Sequence, residues 1–306
     1  MNLNICRGAL VVLVLMAGSA KAQPLNIIFY GNSFTFGAGS SRSVDAIVRD
    51  LATIAGHDRP FTISAAVSGQ DLEWHVGNNT NRITTSIAPG NNWDFIVMQE
   101  HSTKLTRAYD GQPLFPASIE ESKTTAVQLH NIAKQHSPDV RPVLYETWAR
   151  GTGHAFFTGA TPLFTGPDEM QEEIRAGYDM LHEALDDAAG DDVTLLAPVG
   201  DAWQETNFDN LHSGDLWHAQ NRGTLLAALV IYGTIYGDYN TSDLDLTDRN
   251  LLESLNLTVA DGTFLTAAAD ATLRAENVPE PCAATVTIGI MLLSASSCRA
   301  NILRHR

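Results

Sequence analysis

Cysteine is scarce in this chain, and its placement says more than its number. There are three, Cys6, Cys282 and Cys298, and none from residue 7 to residue 281. That long central stretch therefore holds no disulfide, no thiolate nucleophile and no cysteine-built metal site. Its stability has to come from buried apolar surface, which about 255 residues can supply. Acidic side chains are lacking at both ends. Residues 1–22 and 283–306 contain no Asp or Glu, yet hold five of the 19 Lys/Arg: Arg7, Lys21, Arg299, Arg304 and Arg306. Residues 23–282 thus set 14 basic side chains against all 35 acidic ones, a formal charge of −21. A surface of that sign repels nucleic acid and anionic lipid and suits neutral substrates. No internal period of about 20–50 residues recurs, which argues against a repeat array. Charged residues make up only 18% against 44% hydrophobic ones, so a globular core is expected and disorder is not.

The two ends read as targeting segments. Residues 1–22 place Arg7 before an apolar run from Ala9 to Ala17, followed by Ala20-Lys21-Ala22. This is the layout of a secretory signal peptide, with Gln23 as the first mature residue. Cys6 precedes the apolar run, which is not the arrangement of a lipoprotein site. At the other end, Val278-Pro279-Glu280-Pro281 introduces an apolar stretch from Ala283 to Ser297 and then the arginines. The stretch is shorter than the roughly 20 residues of a full membrane span, but basic residues after it fit a stop-transfer end. The order Pro-Glu-Pro, apolar helix, arginines resembles the PEP-CTERM sorting signal of Gram-negative bacteria. That resemblance implies processing by an exosortase-type enzyme and delivery to the periplasm, cell surface or extracellular matrix, with membrane contact only through the C-terminal segment.

Between these ends, apolar runs alternate with helical periodicity. Strands are expected at residues 25–30, 61–67, 93–98, 141–147 and 193–198. Helices are expected from Val44, where Ile47, Val48, Leu51 and Ile54 recur at helical spacing, and over residues 118–135, 167–188 and 220–236. Strands that are apolar throughout, each followed by a helix, indicate a mostly parallel sheet covered on both faces. The expected fold is a three-layer α/β/α domain with five central strands, over residues 23–240. Residues 104–117 and 150–166 are expected to be loops beside the site, and residues 241–277 an added cap or the start of a stalk.

Substrates of such sheets bind at the carboxyl ends of the strands. Ser33, Gly69, Gln99 and Trp148 all fall at or just after expected strand ends. Far along the chain, Asp215-Leu216-Trp217-His218 supplies an Asp-x-x-His. Serine, histidine and aspartate together are the minimum for acyl transfer. His75 and His101 are candidates to line a pocket, although a surface position or a loop cap would explain them equally well; His212 reads as structural. No ligand spacing for zinc is present. Glu100 and Glu146 also follow strands and allow a paired-carboxylate site. Trp74, Trp148 and Trp203 suit sugar stacking or a core.

Gly31-Asn32-Ser33, Gly69 and Asp215-x-x-His218, in that order at successive strand ends, resemble the blocks of the SGNH (GDSL-like) hydrolases, over roughly residues 25–237. The third block departs from that family. Met98-Gln99-Glu100-His101-Ser102 places Gln99 where an asparagine is usual. A branch with Gly-Asn-Ser-Phe-Thr and Gln-Glu-x-Ser is similar here. The resemblance implies a flavodoxin-like sheet and an exported serine esterase that needs no cofactor and no metal. Ser33 would be the nucleophile, His218 the base and Asp215 its orienter. The Ser33 and Gly69 N–H groups and the Gln99 amide would hold the oxyanion, with Asn32, His75, His101 and Trp148 near the substrate. The implied substrate is an O-acyl ester, of small-molecule or polysaccharide type. A non-catalytic surface protein that binds carbohydrate on the same fold stays open beside it.

Overall fold

The computed structural model describes residues 23–109 and 118–276. The expected signal peptide and sorting segment lie outside the described residues. Five strands form one parallel sheet: β1 (Asn26–Tyr30), β2 (Phe61–Ser64), β3 (Phe95–Met98), β4 (Arg141–Tyr145) and β5 (Leu195–Ala197), in the order β2-β1-β3-β4-β5. Each strand is shorter than its apolar run. Beyond β2 the chain leaves the ladder but keeps single bonds to its neighbour, from Ala65 N–H to the Phe29 carbonyl (2.8 Å) and from Val67 N–H to that of Gly31 (3.0 Å).

Strand side chains alternate between two cores, as the pleat requires. Ile27, Phe29, Val97, Val143 and Tyr145 face α1 (Val44–Ile54), α6 (Val199–Glu205), α7 (Asn221–Tyr236) and α9 (Val259–Glu276). Ile28, Tyr30, Ile96, Met98 and Leu144 face α2 (Leu72–Asn78), α4 (Ser118–His136) and α5 (Pro167–Ala189). The short α3 (Asn81–Thr85) adds Ile83 to this second core. Local signals set helix limits: α5 begins with Pro167 and ends at Gly190, which has φ 72°, the left-handed cap that glycine adopts without strain.

The sequence reading did not anticipate α2, α3 or α6. Helix α6 was hidden because Pro198-Val199-Gly200 reads as punctuation, yet proline is well suited to a helix N-terminus. Helix α7 is apolar nearly all round, whereas an ordinary surface helix buries one stripe. The reason is α9, whose Leu265, Ala269 and Leu273 share a core with it. A Cβ on Gly233 of α7 would collide with the Leu273 side chain, so the two helices approach closely. Residues 241–276, including the short α8 (Leu251–Ser254), therefore pack as helices against the sheet domain.

The buried Asp270 fastens this segment. Its Oδ1 accepts from Thr241 N–H (2.5 Å) and Oγ1 (2.8 Å), and its Oδ2 accepts from Ser242 Oγ (2.6 Å). Asp270→Ala leaves the buried Thr241 N–H without its acceptor and is expected to lower the unfolding free energy by about 2 kcal/mol. Urea denaturation of the two proteins checks the value.

Candidate active site

Strand β1 delivers its chain into a turn that only glycine can begin. Gly31 has φ +154°, and a Cβ there would stand 2.6 Å from Gln99 Oε1 and collide with Thr35 Oγ1. The turn is then tied by Asn32 Oδ1, which accepts from Phe34 N–H (3.2 Å), and by Thr35 N–H donating to the Asn32 carbonyl (3.0 Å). Ser33 sits between them with its hydroxyl toward a cavity of about 270 Å³.

The second half of the site is the turn from Ser213 to His218. Asp215 Oδ1 accepts from the N–H groups of Trp217 and His218, each at 3.0 Å, and from Ser213 Oγ (2.7 Å). Leu216 takes φ +67°, a conformation that a branched side chain adopts only when its surroundings over-determine it. Here they do: the Leu216 carbonyl accepts from Gly151 N–H (2.7 Å), and the Trp217 carbonyl from Trp148 Nε1 (2.8 Å).

These two turns bring three groups into line. Ser33 Oγ is 2.9 Å from His218 Nε2, and His218 Nδ1 is 2.6 Å from Asp215 Oδ2. With Nδ1 donating to the carboxylate, Nε2 is left to accept the serine proton. Burial pushes the Asp215 carboxyl upward. The bond from His218 and the N–H groups around the carboxylate outweigh it and hold the acid well below its usual range. Asp215 thus stays ionised beside the His218 ring.

Around the serine, Gly69 lines the cavity with φ +70°. The Ser33 and Gly69 N–H groups donate to no backbone acceptor among the described residues. Asn32 and His101 line the cavity as well, together with Phe34, Ser68, Ser102, Arg150, Trp217 and His218. Burial, and then the Arg150 charge, lower the His101 pKa and keep it neutral.

Three sequence expectations are corrected. Gln99 is fully buried and outside the cavity wall; one of the two Nε2 N–H groups is spent on the Glu100 carbonyl (2.6 Å), and the amide does not reach the pocket where an oxyanion would sit. Its Oε1 instead accepts from Asn32 N–H and Thr35 Oγ1, both at 2.9 Å, and moors the serine turn. His75 is neither on the surface nor in the pocket. It is buried behind the turn, with Nε2 bonded to the Gly31 carbonyl (2.8 Å) and burial lowering its pKa. Trp148 is a core residue, stacked between Phe34 (4.5 Å) and Trp203 (4.1 Å), and offers no face to a substrate.

The other candidates also find their places. His212 bonds the Ala149 carbonyl at 2.9 Å and packs edge-on against Trp203. Glu100 and Glu146 are fully buried away from the cavity, so they form no carboxylate pair across a substrate. Sequence reasoning missed Ser68, Ser102, Arg150 and Trp217 as lining residues. A lone arginine in a loop ordinarily reads as solvated, and only its position two residues after Trp148 hinted otherwise.

No family profile and no curated protein matches the chain. Among solved structures, a candidate SGNH hydrolase from Slackia heliotrinireducens is 23% identical, with a TM-score of 0.51 over 70% of this chain and 100% of its own. A DUF4886 family protein from Bacteroides uniformis ATCC 8492 is 19% identical, with a TM-score of 0.57 over 85% of this chain and 98% of its own. The likeness is one of fold: a layered α/β domain on five parallel strands, as in SGNH hydrolases and as the strand pattern implied.

Burial also sets a pH signature. Glu100 is raised to about 7 by desolvation, against 4.5 ordinarily, with the His101 N–H and the Lys104 charge pulling the other way. The unfolded chain releases this proton first, so neutral Glu100 stabilises the fold fully at low pH, and that contribution is lost as pH rises from about 4.5 through 7. Glu100→Gln removes the titration. The fall in melting temperature between pH 5 and pH 8 should be smaller in the variant than in the wild type by scanning calorimetry.

Proposed function

We propose that this protein is a serine ester hydrolase, on the strength of the aligned Ser33–His218–Asp215 set opening into one cavity. Ser33 Oγ attacks the ester carbonyl carbon while His218 Nε2 takes the hydroxyl proton. The resulting oxyanion sits against the Ser33 and Gly69 N–H groups, which have no competing backbone acceptor among the described residues. On collapse the carbon–oxygen bond to the alcohol breaks, and the imidazolium returns its proton to that leaving oxygen. Water then repeats the sequence on the acyl-enzyme, His218 again taking and returning a proton. The carboxylic acid leaves and Ser33 is restored.

A small O-acyl group, acetyl above all, on a carbohydrate is the substrate we favour. Supporting it are the modest cavity volume of about 270 Å³ and Trp217, a tryptophan 41% exposed at the rim, where a sugar ring can stack. The composition of residues 1–22 and 278–306 supports an exported enzyme that acts in the cell envelope or its matrix.

A fluorophosphonate probe tests the reading. Labelling of the wild type should disappear in Ser33→Ala, and turnover of 4-nitrophenyl acetate should fall by about 10⁴-fold or more in Ser33→Ala and by roughly 10³–10⁴-fold in Asp215→Asn. A folded wild type that takes no label and releases no acetate from acetylated oligosaccharides would instead favour a carbohydrate-binding protein that keeps the fold.

A further inference from the structure

We infer that the cavity beside Ser33 receives an ester that also carries a carboxylate, bound by the Arg150 guanidinium; as a substrate class this rests on the hydrolase reading above. The observation is an arginine where none should be left alone. Arg150 is 5% exposed and lines the cavity. Its Nη1 donates to Ser102 Oγ (3.1 Å), while its Nε is buried with no partner. Among the described residues no carboxylate lies within ion-pair distance of it. The rings of Phe34 and Trp217 lie 5.7 and 5.8 Å from the guanidinium carbon. They offset part of the desolvation of a buried cation but satisfy none of its N–H groups.

The surroundings sharpen the point. None of the ten residues that line the cavity is acidic, although Asp and Glu outnumber Lys and Arg by 35 to 19 in the chain. Asp215 is the acid whose charge reaches Arg150, and its own oxygens are occupied by His218, Trp217 N–H and Ser213. A planar fork of donors on a cavity wall without an acid matches the two oxygens of a carboxylate. This local cation revises the expectation of a neutral substrate drawn from net charge alone, because overall charge acts at long range and is screened within about 8 Å at physiological salt.

The carboxylate can belong to the alcohol part or to the acyl part, and two substrate pairs separate these. One pair is 4-acetoxybenzoate against 4-acetoxybenzamide; the other is the mono-4-nitrophenyl ester of adipate against 4-nitrophenyl hexanoate. In at least one pair the anionic member should have the higher kcat/KM, by roughly 10-fold or more. Arg150→Gln should abolish that ratio, and Arg150→Lys should restore part of it. A ratio at or below one in both pairs for a fluorophosphonate-reactive wild type overturns the inference, as does a ratio that Arg150→Gln leaves unchanged. Binding of benzoate against benzamide to the Ser33→Ala protein, followed by calorimetry, decides the same question without turnover and without altering Arg150. Equal affinity there rejects the carboxylate site. An unlabelled, inactive wild type that still prefers benzoate rejects the hydrolase and keeps the site.

Discussion

The indole N–H of Trp148, donating to the Trp217 carbonyl at 2.8 Å, is the joint on which the site depends. His218 lies 185 residues from Ser33, and it shares with Asp215 a turn with no strand or long helix of its own. Trp148 fastens that turn to the exit of β4, and its ring stacks on Phe34, the neighbour of Ser33. The opposite face of Trp148 rests on Trp203, at an interplanar angle of 3°. Both arms of the site are thereby referred to one rigid column of aromatic rings, which is how a spacing of 2.9 Å between serine and histidine can persist without a covalent link.

A second constraint is the cost of charge below the surface. The molecule is strongly acidic outside and carries a few buried ions inside, and these are treated differently according to place. Lys104, fully buried, is met by Asp71 (2.9 Å) and Glu121 (3.0 Å), and so links the N-terminus of α2 to α4. Among the described residues Glu100 and Glu146 have no such cation within ion-pair distance, and burial pushes both toward the neutral form. Among the described residues, Arg150 faces a cavity without an acid in its wall. Packing regions satisfy or neutralise their charges; the pocket keeps one in reserve, which is the usual mark of a group whose partner arrives from outside.

Much of this was legible from residue order. Strands β1 and β3 were visible because buried parallel strands are apolar throughout, and α1 and α5 because a helix with one buried face repeats its apolar residues at a fixed spacing. Ser33, Asp215 and His218 stood out because each is a reactive type at a strand exit or in a short polar turn. Less visible were α6, whose first residues mimic a loop, and α9, whose Ala- and Thr-rich sequence shows a weak stripe. The apolar girth of α7 held the clue to α9, since a helix with no polar face needs cover on every side.

Periodicity and motif order by themselves determined the parallel sheet, the crevice at its carboxyl edge and the identities of the three aligned residues, because these follow from backbone pairing and from chemistry carried by single side chains. Tertiary structure alone decided which neighbouring polar groups look into the cavity. Gln99 and Trp148 follow strand ends and His75 lies in α2, close behind the turn that holds Gly69, yet all three turn inward to hold the serine and histidine turns. Arg150 and Trp217 turn the other way. Beyond the last ladder bond a side chain's direction is set by contacts dozens of residues away, such as Gly151 with Leu216 or Gln99 with Asn32, and no local pattern records them.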